Sequence, residues 1–283
     1  MAASELSGGV ALAVLAAGFL HALWNALLKS AGGEPALDTA SIAAGATVVC
    51  APLLPFVPLP AREAWPFLLA SIAVHIGYYA TLAAAYRRGD LSFAYPLMRG
   101  VAPLLVAFAG IVVLGEIPRA TAVAGIGLIS AGVILIARFA GGRHALAALA
   151  FALANAAIIA AYTLVDGAGA RVAGNAWSYA FWLMFLEGIP FVGWVARRHR
   201  GRATAYLLRR WRRGLMGGAA SVAAYAIALW AMTRAPVAVV AAMREVSVVF
   251  AAILGAVFLG ESFGWRRLAG AASVAAGVAA LRL

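Results

Sequence analysis

The feature that most constrains the fold is a series of long apolar runs, separated by short segments rich in glycine, proline and charge. A bilayer's hydrocarbon core is crossed by about 20 residues of α-helix, and lipid forces the backbone to make its hydrogen bonds within the helix. We therefore predict an all-α membrane protein with ten transmembrane helices. The ten runs are 8–29, 37–57, 65–86, 91–115, 118–138, 144–165, 174–196, 212–233, 236–260 and 263–282.

The composition supports a membrane protein, because 65% of the 283 residues are hydrophobic and only 11% are charged. The net charge of +12 comes from arginines grouped between the runs, where lipid headgroups and topology account for them, so we expect no nucleic-acid partner. The first run follows Glu5 without a positive charge, which favours a retained helix over a signal peptide. Cys50 is the only cysteine, which excludes an intrachain disulfide and a thiolate metal cluster. We expect a multi-pass protein of the cytoplasmic (inner) membrane, a monomer or homodimer without cofactor or metal.

The sequence contains an internal repeat with an offset of 145 residues. Residues 94–137 agree with 239–282 at 14 of 44 positions, and the informative matches pair Arg99 with Arg244 and Glu116 with Glu261. Each unit contains five predicted helices, an odd number, so the halves cross the membrane in opposite directions. We therefore predict two inverted repeats, residues 1–138 and 139–283, with a substrate site near the midplane where they meet.

The distribution of positive charge predicts an orientation. Loops on one side carry 15 lysines and arginines, eight of them in residues 197–213, whereas the other side carries five. The positive-inside rule places residues 197–213 in the cytoplasm and both termini outside.

Two arginines interrupt otherwise apolar runs, Arg99 in the fourth and Arg244 in the ninth. A charge at such depth usually faces the bundle interior or a wet cavity. One interpretation is that both guanidiniums bind a carboxylate or phosphate in a shared cavity. The other is that they pair with Glu245 and Glu187 and only hold helices together.

Other polar and aromatic side chains are candidates for the same cavity. His21, Asn25 and Lys29 recur at steps of four and form a polar stripe on one helix face. For each aromatic residue, the alternative to ligand contact is ordinary helix packing or a place in the interfacial belt. His75 is either a hydrogen-bonded structural residue or a proton relay. The candidate proton-coupling groups are Glu245, Glu187 and His75, and protons are a candidate coupling ion. The predicted substrate-binding residues are Arg99, Arg244, Glu245, Trp24, Asn25, His75, Tyr79, Tyr95, Tyr162 and Tyr225, with Tyr78 and Trp182 as further aromatic candidates.

The glycines at equivalent places in the repeat predict close helix packing. They are Gly110 and Gly115 in AGIVVLGE, and Gly255 and Gly260 in LGAVFLGE. The acids that follow, Glu116 and Glu261, fall at helix ends, where we expect helix-terminal or gating contacts.

Several segments together resemble the EamA-like members of the drug/metabolite transporter superfamily. They are HALWNALLK, YPLMRGVAPLL followed by LGE, AAYTLVDGAGAR, and MREVSVVFAAILGAVFLGE. The resemblance implies a basket of ten helices, with helices 1, 3, 4, 6, 8 and 9 around a central cavity. It also implies small metabolites as substrates, often exported, whereas related families exchange phosphorylated sugars or nucleotide sugars. Members usually have both termini in the cytoplasm, opposite to the orientation that the charges predict.

These features predict a secondary transporter that moves a small metabolite, amino-acid-like or otherwise carrying an anionic group, by alternating access, with export as the expected direction. The alternative is an exchanger or importer of phosphorylated, phosphonate or nucleotide-linked metabolites. A more remote alternative is an intramembrane enzyme, but the sequence has no HExxH, no GxSG and no clustered aspartates. A channel is disfavoured because nothing indicates a ring of like groups.

Overall fold

The computed structural model describes residues 7–29, 33–88, 91–136, 145–259 and 264–281, and within these ranges the secondary structure is entirely helical. Two short 3-10 helices, Ala51–Phe56 and Arg62–Ala64, follow the second α-helix. The α-helices are α1 (Gly8–Lys29), α2 (Pro35–Cys50), α3 (Trp65–Arg88), α4 (Leu91–Leu114), α5 (Ala120–Ile136), α6 (Ala145–Val172), α7 (Ala176–His199), α8 (Arg202–Arg209), α9 (Trp211–Met232), α10 (Val237–Arg244), α11 (Val246–Leu259) and α12 (Trp265–Ala280).

Each of the ten apolar runs consists mainly of helix, which confirms the predicted all-α structure for the residues that the structure describes. Within the described ranges, seven helical segments are long and apolar enough to cross a membrane, and two shorter apolar helices cover Ala120–Ile136 and Leu268–Ala280. The seven segments are Gly8–Leu28, Pro35–Phe56, Tyr95–Leu114, Leu146–Val172, Ala176–His199, Trp211–Met232 and Val237–Leu254. The protein is therefore a multi-pass membrane protein.

The sixth helix is longer than its apolar run predicts. The sixth apolar run ends at residue 165, and the glycines of the following DGAGARVAGN predict a loop, but α6 continues to Val172 and includes Asp166. Its glycines lie at close contacts, because a Cβ on Gly167 would be 2.7 Å from the Val237 side chain, and one on Gly169 would be 2.5 Å from the Tyr179 ring. Tertiary packing therefore outweighs the low helix propensity.

The arginine-rich segment 197–213 is also more ordered than the predicted loop. Helix α7 runs to His199, α8 occupies most of the connection, and α9 begins at Trp211. Gly201, with a φ of +70°, turns the chain between α7 and α8. Most of these arginines therefore project from helices.

The two repeat-related helical regions with buried arginines are both irregular near the arginine. In α4, Pro96 and Pro103 flank Arg99, and Pro103 has no N–H to donate to the Arg99 carbonyl. In the second half, the ninth run is divided at Glu245 into α10 and α11 rather than forming one helix. Interrupted helices expose backbone polar groups where transporters bind ligands and ions.

Helices α5 and α12 meet through their glycines. A Cβ on Gly132 would be 2.6 Å from the Gly270 carbonyl oxygen, and one on Gly277 would be 2.7 Å from that of Gly125. The order of the contacting residues is opposite in the two helices, so they pack antiparallel. The Ser273 hydroxyl also donates to the Leu128 carbonyl over 2.7 Å. These two residues are separated by 145 positions, which is the repeat offset, so they are each other's equivalents.

Candidate functional site

A buried ion pair joins the two halves of the chain. The Nε of Arg99 donates to Oε2 of Glu245 over 2.9 Å, and the residues are only 7% and 4% exposed. Arg99 comes from α4, and Glu245 occupies the break between α10 and α11. Of the two alternatives predicted for Arg99, the structure therefore contains the ion pair with Glu245. The charges compensate each other where either alone would be costly.

The repeat partner of Arg99 has a different environment. Arg244 is 8% exposed, and its guanidinium lies 5.3 Å from the centre of the Tyr225 ring in a cation–π contact. Among the described residues, no carboxylate lies within ion-pair distance of Arg244, because the residue equivalent to Glu245 in the first half is Gly100. Arg99 and Arg244 both interact electrostatically with Tyr95 and Tyr162, and their joint binding of a ligand in one cavity stays a prediction.

A fully buried carboxylate, Asp166, lies at the hydroxyl end of Tyr225. Asp166 accepts hydrogen bonds from the hydroxyls of Tyr225 and Tyr179, the latter over 3.0 Å. Within the described ranges, no arginine or lysine forms an ion pair with it. Neither Asp166 nor Tyr179 was predicted as a site residue, because the glycines of DGAGAR predict a loop at Asp166 and because Tyr179 is one of several aromatic residues in the seventh apolar run. The single acid following the apolar stretch AIIAAYTLV was the signal that could have identified Asp166.

Histidine and tyrosine rings pack beside this carboxylate. The His75 ring stacks on Tyr162 with centroids 4.3 Å apart, and Tyr78 meets Tyr162 edge to face at 6.1 Å. The His75 Nδ1 lies 2.8 Å from the Ser71 carbonyl oxygen, and Nε2 lies 4.0 Å from Oε1 of Glu187. Glu187 is thus near His75, and its pairing with an arginine stays a prediction.

Polar residues of α1 bond largely to one another. The Trp24 indole donates to Nδ1 of His21 over 3.3 Å, and the Asn25 amide donates to the His21 carbonyl over 2.7 Å. His21 lies within electrostatic range of both Arg99 and Arg244, so α1 borders the same centre. The side chains of Lys29 and Tyr79 fall outside the part of the chain that the structure describes. Trp182 packs at a tilt against Trp65, with centroids 5.9 Å apart, and adds an aromatic contact from α7.

Glu116 makes the helix-terminal contact that its position predicts. Its Oε2 accepts from the Val237 N–H over 2.8 Å at the start of α10, and Oε1 pairs with Arg171. Arg171 also donates to the carbonyl oxygens of Met232 and Ala235. The ends of α4, α6, α9 and α10 are therefore tied together, whereas the equivalent Glu261 lies outside the described residues.

The glycines predicted to mediate packing have mixed environments. A Cβ on Gly110 would lie 3.8 Å from the Leu164 side chain, an ordinary contact. Gly115 has a φ of +66° and no described atom within 4 Å of its Cβ position, so its backbone conformation, rather than close packing, favours glycine. Gly255 lies in α11, but its contacts fall outside the part of the chain that the structure describes, as does Gly260.

The helices and the buried charged centre define a multi-pass membrane protein with a polar site built from both halves of the chain. The sequence model of the EamA-like transporter family matches residues 8–138 and 146–283, so the chain belongs to that family. Membership points to a membrane transporter of small molecules. A solved crystal structure aligns with a TM-score of 0.74 at 19% identity, covering 97% of this chain and 96% of that one, and supports the fold alone. The comparison with curated proteins gave no match.

Proposed function

We propose that the protein is a secondary transporter whose substrate carries an anionic group bound by Arg244. The observation that carries the proposal is the difference between the two buried arginines. Arg99 is neutralised by Glu245, whereas Arg244 faces the Tyr225 ring and has no ion-pair partner among the described residues. A cation kept buried without an acid is suited to receive a charge from the ligand.

The surroundings of Arg244 favour a compact substrate. A bound anion loses its hydration and needs fixed donors, which a guanidinium supplies in a planar fork. Tyr162 and Tyr225 add ring faces and hydroxyls near this fork. Amino-acid-like molecules and organic acids fit this chemistry. An exchanger or importer of phosphorylated, phosphonate or nucleotide-linked metabolites is the alternative, and net export across the inner membrane rests on the family resemblance.

We also propose that transport proceeds by alternating access between two inverted five-helix repeats, residues 1–138 and 139–283, with ten spans in all. The antiparallel contact of α5 with α12 supports this arrangement. Gly125 faces Gly277, which is the equivalent of Gly132 at the repeat offset. Gly132 in turn faces Gly270, which is the equivalent of Gly125. A twofold axis that relates an antiparallel pair is perpendicular to both helices, as expected for inverted repeats whose axis lies in the membrane plane.

Asp166 is our preferred proton-coupling group, in place of Glu245, which is committed to Arg99. Tyrosine hydroxyls hold both of its oxygens, and one of these tyrosines contacts Arg244 through its ring. The groups facing the carboxylate are His75 and Ser71 from α3, Tyr162 from α6 itself, Tyr179 from α7 and Tyr225 from α9. Because Tyr225 contacts both sites, a proton on Asp166 would change the electrostatic environment of Arg244. His75 and Glu187, 4.0 Å apart, remain secondary candidates.

The test begins with the purified protein and a library of amino acids, organic acids and phosphorylated metabolites. A ligand that binds the folded state raises the unfolding temperature by mass action. Compounds that do so are then assayed for uptake into liposomes. In folded Arg244→Gln protein the affinity should fall by about tenfold or more, and Arg244→Lys should be intermediate, because the fork is lost while the charge is kept.

The matched control is Arg198→Gln, which removes an exposed arginine at the end of α7 and should bind as the wild type does. Wild-type affinity in Arg244→Gln would refute the role of Arg244. Absence of uptake for every stabilising compound would refute the transporter mechanism.

A further inference from the structure

A pocket of about 650 Å³ lies away from the buried centre, where α8 meets α9. Its lining is basic and aromatic, and consists of Tyr206, Arg209, Arg210, Trp211, Arg212 and Arg213. The proposed transport cycle uses none of these residues, so the pocket requires a separate explanation.

The position of α8 indicates that the pocket lies at the membrane surface. Helices α7 and α9 on either side are both long and apolar enough to cross a membrane. The inner face of α8 packs through Ala203 on Leu37 and Val195. Leu208 of α8 and Trp211 at the start of α9 are 68% and 54% exposed. Exposed apolar and aromatic side chains beside arginines are typical of helices that lie in the headgroup region.

One arginine of the pocket is fixed by protein contacts. Arg210 pairs with Asp38 over 3.0 Å and lies 4.8 Å from the centre of the Tyr206 ring. The Tyr206 hydroxyl donates to the same carboxylate over 2.7 Å, and desolvation together with this bond raises the pKa of the phenol. These contacts anchor the pocket to α2.

The remaining arginines have no such compensation. Arg209, Arg212 and Arg213 are exposed, and no carboxylate among the described residues lies within ion-pair distance of them. The Arg212 guanidinium lies 5.4 Å from the centre of the Trp211 ring, and both residues line the pocket. Three uncompensated guanidiniums around one concavity suit the oxygens of a phosphate.

We propose that this pocket binds the phosphate of an anionic lipid headgroup. The arginines contact the phosphate oxygens, while Leu208 and Trp211 lie against the acyl-chain boundary. This site is independent of the substrate bound at Arg244 and of the direction of transport. The proposed site also differs from a general attraction of positively charged loops to the membrane, because the lipid is bound by particular arginines.

The test uses the full-length protein in detergent and short-chain phosphatidylglycerol as the probe, with phosphatidylcholine of the same chain length and inorganic phosphate as comparisons. Titration calorimetry should give saturable binding of phosphatidylglycerol and much weaker binding of phosphatidylcholine. The triple variant Arg209→Gln, Arg212→Gln, Arg213→Gln should bind phosphatidylglycerol at least about tenfold more weakly.

The matched control removes three other exposed arginines of the same segment, by Arg197→Gln, Arg198→Gln and Arg202→Gln. It has the same net charge as the first triple variant, and its affinity should stay within about twofold of wild type. Both variants should retain the wild-type unfolding temperature, because these arginines are exposed. Equal loss in the two variants would overturn the site in favour of general electrostatics. Inorganic phosphate binding as tightly as phosphatidylglycerol would overturn the assignment to lipid.

Discussion

Arg99 and Glu245 are 146 positions apart in the sequence, yet their 2.9 Å ion pair is buried in the interior and links α4 to the break between α10 and α11. A buried pair is costly to break from one side, because the remaining charge has neither water nor a partner. The pair therefore contributes to folding in a way that Arg244, which has no carboxylate partner within the described ranges, does not.

We expect Arg99→Gln and Glu245→Gln each to destabilise the protein by about 3 kcal/mol, because each leaves an uncompensated charge. The double variant should recover much of that loss, since both charges are then absent. Unfolding temperature in detergent and the yield of folded protein are the measurements. Additive losses in the double variant would show that the two residues act independently.

Asp166→Asn should abolish the pH dependence of ligand binding or of transport driven by a pH gradient, because the amide cannot exchange a proton. Tyr225→Phe, which removes one hydrogen bond to this carboxylate, should change the dependence without abolishing it. The exposed Glu63→Gln serves as the control. Unchanged pH dependence in Asp166→Asn would exclude this residue and return attention to His75 and Glu187.

Gly132→Ala should destabilise the protein by about 1–3 kcal/mol, since its Cβ would lie 2.6 Å from a backbone oxygen of Gly270 that cannot move alone. Gly127→Ala in the same helix is the matched control, because no described atom lies within 4 Å of its Cβ position. That substitution should be neutral or slightly stabilising through helix propensity. Equal unfolding temperatures for the two variants would contradict the close packing of α5 on α12.

The orientation can be tested by cysteine labelling in a Cys50→Ala background. Thr204→Cys on α8 should resist a membrane-impermeant thiol reagent in intact cells, because the positive-inside rule places it in the cytoplasm. Thr233→Cys, exposed between α9 and α10, should react. Labelling with the opposite pattern would place both termini in the cytoplasm, as in most members of the family.

The sequence predicted the helices well because membrane spans depend on local hydrophobicity and length alone. It also identified Arg99 and Arg244, since arginine is rare inside apolar runs. It could not decide the partner of Arg99, because that choice depends on how α4 packs against a residue in the other half. Asp166 was missed for a related reason, since the glycines that suggested a loop are accommodated by the close approach of Val237 and Tyr179.

The glycine contact between α5 and α12 also has an evolutionary meaning. Each helix presents equivalent residues to the other, and the contact is self-complementary, as in the interface of a twofold-symmetric dimer. Under the proposed two-repeat arrangement, a single five-helix ancestor with this helix would have bound a second copy of itself in the same way. Duplication and fusion of its gene would then have preserved the contact while allowing the halves to diverge. Glu245 opposite Arg99, with Gly100 at the equivalent position in the first half, is an asymmetry that a dimer of identical chains cannot have.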